Sequence, residues 1–295
     1  MPKLRQPLKW HGGKKDLAEW IIGLMPPRCK NPNKPADSDR GWLHYCEPYF
    51  GGGSVLLAND PNGISEVVND KNFWLTTFWR VLQREDYFAQ FRRAVEAIPF
   101  SKAEYSWADA FKEDSREACT AAPVKAASQF FVAARQSLAG RMQVFTGITK
   151  TRTRRGMNNE VSAWLSCLDG LPAVHKRLRR VLILDAGNAL DVIRAQDGPR
   201  TLFYLDPPYL HETRATTGEY AYEMTKEDHE DLLIQLGKCF GRFLLSGYRS
   251  DLYDLYARCN GWTRHEKQIN NHAAGGKKKR IMTECVWCNY GPAGV

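Results

Sequence analysis

The sequence predicts an α/β fold carrying a mostly helical insertion, on three observations. Residues 202–205 (Leu-Phe-Tyr-Leu) are apolar or aromatic at every position, and a strand tolerates that only when both of its faces are covered, as in a parallel sheet between helices. Twice, over residues 42–58 and 180–193, a strand-like stretch gives way to glycine or asparagine and then to helix-forming residues, the order of an open α/β sheet. Over residues 73–138, by contrast, apolar residues (Trp74, Leu75, Phe78, Leu82, then Phe88, Phe91, Val95) recur every three or four positions, which is helical. At 295 residues the chain exceeds the usual single domain of roughly 100–200 residues, so an α/β domain with an insertion, or two domains, is expected. A hydrophobic content of 43% supplies the core that this requires.

In chain order, Lys9-Trp10-His11-Gly12-Gly13-Lys14 precedes an amphipathic helix over about 16–25. The two glycines permit close backbone approach, and Lys14 sets a mobile positive charge at the helix entrance. Residues 26–40 hold four prolines and read as a loop. A strand within 42–49 runs into Phe50-Gly51-Gly52-Gly53 and a short helix over 55–58. There is no dinucleotide G-x-G-x-x-G and no Gly-Lys-Ser/Thr, so a phosphate-cradling loop is not expected. A second strand, 64–70, ends on Asp70, whose carboxylate can accept from both hydroxyls of a ribose or cap the helix from Asn72 onward. After the helical region, a helix around Trp164 returns the chain to a strand over 180–185. Asn188, at the turn that follows, either reads an adenine through its amine or caps the next helix. Beyond the central strand, Thr225-Lys226-Glu227-Asp228 is a capping box opening a helix to about 236. Residues 242–248 form a strand, Ser250 caps another helix, and 262–269 with 283–290 make a hairpin around a basic tip at 272–280.

The central strand stops at Asp206-Pro207-Pro208-Tyr209, because proline lacks the N–H that a ladder needs and fixes φ. The turn presents a carboxylate, two carbonyls and an aromatic face. That set suits a planar base with an exocyclic amine: Asp206 and the Pro207 carbonyl accept its hydrogens and Tyr209 stacks on the ring. The start of the chain has no apolar segment of a signal peptide, and no stretch approaches the ~18 apolar residues of a membrane span. Eight cysteines without a framework read as reduced thiols of a cytoplasmic protein. Cys285 and Cys288, three apart on a strand, point to opposite faces, so no metal is expected there. The net charge is +9, and it is concentrated: residues 141–180 hold nine basic and two acidic side chains. A polyanion is the natural partner, and Lys150-Thr151-Arg152-Thr153-Arg154-Arg155 reads as a loop whose cations and hydroxyls contact phosphates.

Taken together, residues 9–14, 47–53 (Glu-Pro-Tyr-Phe-Gly-Gly-Gly), 69–72 (Asn-Asp-Lys-Asn), 206–209 and 283–287 (Thr-Glu-Cys-Val-Trp), with the helical insertion before the last two, form a series that is weak singly and specific in order. The series resembles the Dam-like, alpha-class adenine-N6-specific DNA methyltransferases, nearest their phage and prophage branch, over almost the whole chain. The resemblance implies a Rossmann-like, S-adenosylmethionine-dependent methyltransferase sheet with a terminal antiparallel hairpin, formed by residues 1–80 and 178–295. Residues 81–177 would be a helical target-recognition insertion. It implies methyl transfer from S-adenosylmethionine to the N6 of an adenine flipped out of double-stranded DNA, with no metal required; a cytoplasmic monomer without a membrane segment is expected, and whether it acts alone or with a restriction-modification endonuclease is left open. Trp10, Lys14, Glu47, Phe50, Gly51, Gly53, Asp70, Asn188 and Asp206 would line the donor site, and Asp206, Pro207, Pro208 and Tyr209 the base pocket. Arg135 and Arg141 match the stretch leading to the DNA-contacting loop, in which Lys150, Arg152, Arg154 and Arg155 fall. The chain departs from the family pattern at His11, more often alanine, and at Asn188, commonly aspartate. The alternatives are a cytosine-N4 methyltransferase, in which serine is commoner in place of Asp206, and a DNA-binding relative without catalysis, against which the acids at 70 and 206 speak.

Overall fold

A computed structural model describes residues 4–30, 41–108, 116–185, 187–213, 222–270 and 281–291. Along the chain the elements are α1 (Ala18–Leu24), β1 (His44–Glu47), α2 (Ser54–Ala58), β2 (Ser65–Val68), α3 (Phe73–Gln83), α4 (Glu85–Glu96), α5 (Lys102–Ala108), α6 (Arg116–Ala121) and α7 (Pro123–Gln136). There follow β3 (Thr153–Arg154), β4 (Met157–Asn158), α8 (Asn159–Leu178), β5 (Val181–Ile183), α9 (Ala189–Gln196) and β6 (Thr201–Leu205). The chain ends with α10 (Lys226–Gly237), β7 (Arg242–Gly247), α11 (Asp251–Asn260), β8 (Thr263–Asn270) and β9 (Ile281–Cys288). They sort into two compact units. One comprises Met1–Ala18, Gly51–Asp60 and Asn72–Ala186; the other comprises Glu19–Phe50, Pro61–Lys71 and Gly187–Val295.

The first unit is mainly helical. Asn72 caps α3 by accepting from the Leu75 amide at 3.1 Å, so the cap expected of Asp70 is made two residues later. Pro123 opens α7 at a position where the missing N–H has no helical partner to lose. The core is aromatic: Phe78 and Phe131 stack at 5.8 Å, with Phe91 edge-on to both and Trp164 of α8 tilted against Phe131. Where a phosphate-contacting loop was expected, β3 and β4 form a small antiparallel hairpin. Its turn is Arg155-Gly156, at φ +57° and +74°, the double left-handed turn whose twist matches that of paired strands. Asn-Gly is the familiar signal for that turn, and Arg-Gly hides it.

The second unit holds six strands side by side in the order β2-β1-β6-β7-β9-β8. β2, β1, β6 and β7 are parallel, and β9 runs antiparallel between β7 and β8. All five residues of β6 are buried, as its unbroken apolar run requires. The capping box at Thr225 and Asp228 is formed in full, and Ser250 caps α11 by accepting from the Tyr253 amide. The hairpin expected from the sequence is β8–β9; its tip, 272–280, lies outside the described residues, as does most of the loop expected over 26–40.

Candidate active site

Parallel strands end on one edge of their sheet, and here that edge collects acids. Glu47 closes β1, Asn69 and Asp70 follow β2, and Asp206 follows β6, the other neighbour of β1. Tyr45 and Glu47 lie two apart on one face of β1. The Tyr45 hydroxyl donates to Glu47 Oε1 at 2.8 Å, where Glu47 is only 1% exposed. Burying a carboxylate costs several kcal/mol unless donors hold it, and this bond supplies one such donor. On β6, the buried Tyr204 hydroxyl lies 3.1 Å from Ser246 Oγ of β7. Burial raises the Tyr204 phenol well above its usual pKa, and the charges of Asp206, Glu284 and Glu47 act in the same direction. The Tyr204 phenol thus lies within electrostatic reach of three carboxyl groups of the second unit.

Beyond β6, Asp206 and Pro208 are half-buried and Pro207 is buried. Tyr209 is only 7% exposed. Its hydroxyl donates to the Glu284 carboxylate, and its ring meets Tyr248 edge-on at 4.8 Å and 76°. Burial first, then the charges of Glu284 and Asp206, push its phenol well above the ordinary value, so Tyr209 stays a neutral donor.

Phe50 is 4% exposed, and its amide donates to the Asn69 carbonyl at 2.9 Å. Asn69 ties three segments together. Its Nδ2 donates to the carbonyls of Pro48 (3.1 Å) and Gly187 (3.0 Å), while its Oδ1 accepts from the Gly187 amide at 2.9 Å. This side chain, 1% exposed, fixes the loops after β1 and before α9 against the end of β2. Asp70 is half-buried beside it and, with burial and Asp228, raises the pKa of Tyr49. Asn188 is exposed and caps α9, accepting from the Leu190 amide at 2.8 Å; an amide oxygen has a second lone pair, so the cap leaves an acceptor free for a ligand. Asn69, Tyr204 and Glu284 had been given no role on sequence. The signal was present for Glu284, an acid inside an otherwise apolar strand, and absent for Asn69, whose neighbours come from 21 and 118 residues away.

The remaining expected residues lie in the helical unit. Lys14, 7% exposed, donates to the Gly12 carbonyl at 2.9 Å. Trp10 stands against Gly51, where a Cβ would lie 2.9 Å from the indole Nε1 and φ is +50°, so only glycine fits. Gly53, at φ +69°, starts α2. Arg135 is half-buried and donates to the Ala163 carbonyl at 2.9 Å, and Arg141 is half-buried. Lys150, Arg152, Arg154 and Arg155 are exposed; Arg155 donates to Ser166 Oγ at 2.7 Å and lies 3.7 Å from Asp169. Among the described residues no group of His, Cys, Asp and Glu could hold a metal ion, and no helix is long and apolar enough to cross a membrane.

A mostly parallel sheet flanked by helices, ending in an antiparallel hairpin, with acids at its strand ends, is the fold of a Rossmann-like methyltransferase. The family model for the D12 class N6 adenine-specific DNA methyltransferases matches residues 10–270, and the chain belongs to that family. It is an adenine-specific DNA methyltransferase, and DNA is its substrate. A search of curated proteins finds no match.

Proposed function

We propose that this enzyme transfers the methyl group of S-adenosylmethionine to the N6 of an adenine turned out of duplex DNA, at specific sites. The observation that carries this reading is the placing of Asp206, half-buried, at the end of a fully buried strand, with its charge felt by Tyr204 together with that of the neighbouring Glu47. The donor set suits the methyl source: the buried Glu47 carboxyl offers acceptor oxygens to a cation, Asp70 suits a ribose diol, and the Asn188 oxygen suits an adenine amine. Phe50 supplies apolar cover. Trp10, Lys14, Gly51 and Gly53 keep the donor-site assignment that the resemblance gives them. S-adenosylmethionine, when bound, supplies a sulfonium-activated methyl group.

Forming the N–C bond leaves the amine with one proton too many, which is lost to solvent, and beyond that the residues of the chain have little proton chemistry to do. Their work is to hold the adenine amine in line with the methyl group. Asp206 and the Pro207 carbonyl accept the two amine hydrogens, which favours a pyramidal nitrogen and stabilises the positive charge developing on it. Pro208 keeps the turn extended, and Tyr209 packs on the base. Residues 81–177 serve target recognition, with Lys150, Arg152, Arg154 and Arg155 on phosphates and Arg135 and Arg141 supporting the approach; residues 1–80 and 178–295 carry catalysis. Asp206→Ala should lower methylation of unmethylated DNA by about 10²–10³-fold or more, with donor affinity by calorimetry nearly unchanged. A variant that methylates at close to the wild-type rate would remove Asp206 from the chemistry and end this reading.

A further inference from the structure

Glu284 is 2% exposed, and the roles given to Asp206 and Pro207 make no use of it. Topology sets its position. β9 runs antiparallel to β7 with Cys285 opposite Gly247, while Leu245 of β7 lies level with Leu205 of β6. The start of β9 therefore comes to the same edge from which Asp206 to Tyr209 emerge. A carboxylate is an expensive side chain to desolvate there, and an apolar residue would be cheaper, so its presence calls for a specific use. What it does in the structure is accept the Tyr209 hydroxyl, while Tyr248 meets the same ring edge-on. Anchored at its hydroxyl and braced at its edge, the Tyr209 ring keeps one plane.

We propose that Glu284 is a positioning residue for methyl transfer: by holding the Tyr209 phenol from the terminal strand, it sets the plane against which the extruded adenine rests. This rests on the reading of Asp206 to Tyr209 as the base pocket. Glu284 acts through Tyr209 and need not touch the base itself. An error of an ångström in the seating of a reactant is enough to cost up to about 100-fold in rate, which a loosened ring could produce without any effect on the donor.

The test uses the whole enzyme and labelled-methyl transfer to DNA, comparing Glu284→Ala, Glu284→Gln, Tyr209→Phe and the double variant Tyr209→Phe with Glu284→Ala. Glu284→Ala should lower kcat about 10- to 100-fold while donor affinity stays within about twofold. Glu284→Gln, whose amide oxygen can still accept the phenol, should recover most of that loss. The double variant should be no slower than Tyr209→Phe, because both changes cut one connection. With 2-aminopurine in place of the target adenine, Glu284→Ala should alter the fluorescence reached on binding and Glu284→Gln should not. The proposal is overturned if Glu284→Ala keeps wild-type kcat, if the two losses multiply, or if melting temperature and donor affinity fall with kcat and glutamine rescues none of them. Asp206→Ala, run in parallel, separates the two failures: activity surviving there defeats the base pocket itself, whereas activity lost there but kept in Glu284→Ala defeats only the role of Glu284.

Discussion

At the strand-end edge of the sheet two carboxylates, Glu47 and Glu284, are buried and held, whereas on the β3–β4 hairpin the cations stand in solvent. Glu47 accepts from Tyr45, and Glu284 from Tyr209; each carboxylate is at most 2% exposed. Lys150, Arg152 and Arg154 are exposed, and their side chains have no hydrogen bond or ion pair among the described residues. The difference follows what each region has to do. Aligning an amine with a methyl group needs preset geometry, and in a low-dielectric setting a fixed charge acts strongly. Gripping a phosphate backbone needs reach, and long hydrated cations supply it with little desolvation to overcome.

The largest effect is expected at Asn69. If the strand-end region is rigid because buried polar groups are paired, removing Asn69 leaves the Pro48 and Gly187 carbonyls and the Gly187 amide without the partner they share. Asn69→Ala should cost about 2–3 kcal/mol in urea unfolding, from the unmet desolvation of several buried groups. It should also weaken donor binding, since the loops after β1 and before α9 lose their common tether. A change below about 0.5 kcal/mol would mean that the loops hold themselves, and that the contrast in rigidity is only apparent.

The hairpin sharpens the comparison from the other side. Arg152→Ala with Arg154→Ala should leave stability within about 0.5 kcal/mol, since both side chains are exposed. DNA affinity should fall, and the slope of log affinity against log salt should drop by about one per lost phosphate contact. An unchanged slope would take the hairpin off the phosphates.

How much of this the sequence revealed tracks the range of the interaction involved. The alternation of elements, the fully buried β6, the capping box at Thr225 and the terminal hairpin all follow from periodicity and caps within a few residues. Asp70 and Asp206 stand out in the sequence because each closes a strand-like apolar run, whereas Glu47 is singled out only by the family resemblance. What escaped was set by partners distant in sequence. Glu284 meets Tyr209 across 75 positions, and the fixing of the Tyr209 ring depends on that meeting and on Tyr248. The Arg155-Gly156 turn escaped for a local reason: positive φ at an arginine is uncommon, and no residue-type rule announces it.

The smallest effect tests whether the contrast belongs to the regions or to burial itself, through Lys9, a strongly perturbed cation of the helical unit. Lys9 lies within that unit, and burial, with the charge of Arg135, lowers its pKa from 10.5 to about 8, while Glu160 and Cys167 oppose the shift. The folded chain thus binds fewer protons at this site than the unfolded chain between about pH 8 and 10.5. Stability contributed by Lys9 must therefore rise with pH across that window, and the penalty is greatest below pH 8, where the buried amine is charged. Comparing urea unfolding of the wild type with Lys9→Met at pH 7.5 and 9.5, the difference should move toward the wild type by roughly 1–2 kcal/mol. Such a shift would show that burial perturbs a cation within the same unit as the hairpin, so that the hairpin's freedom comes from its exposure. A difference independent of pH would return Lys9 to an ordinary hydrated amine and leave the division between the two regions as one of charge sign.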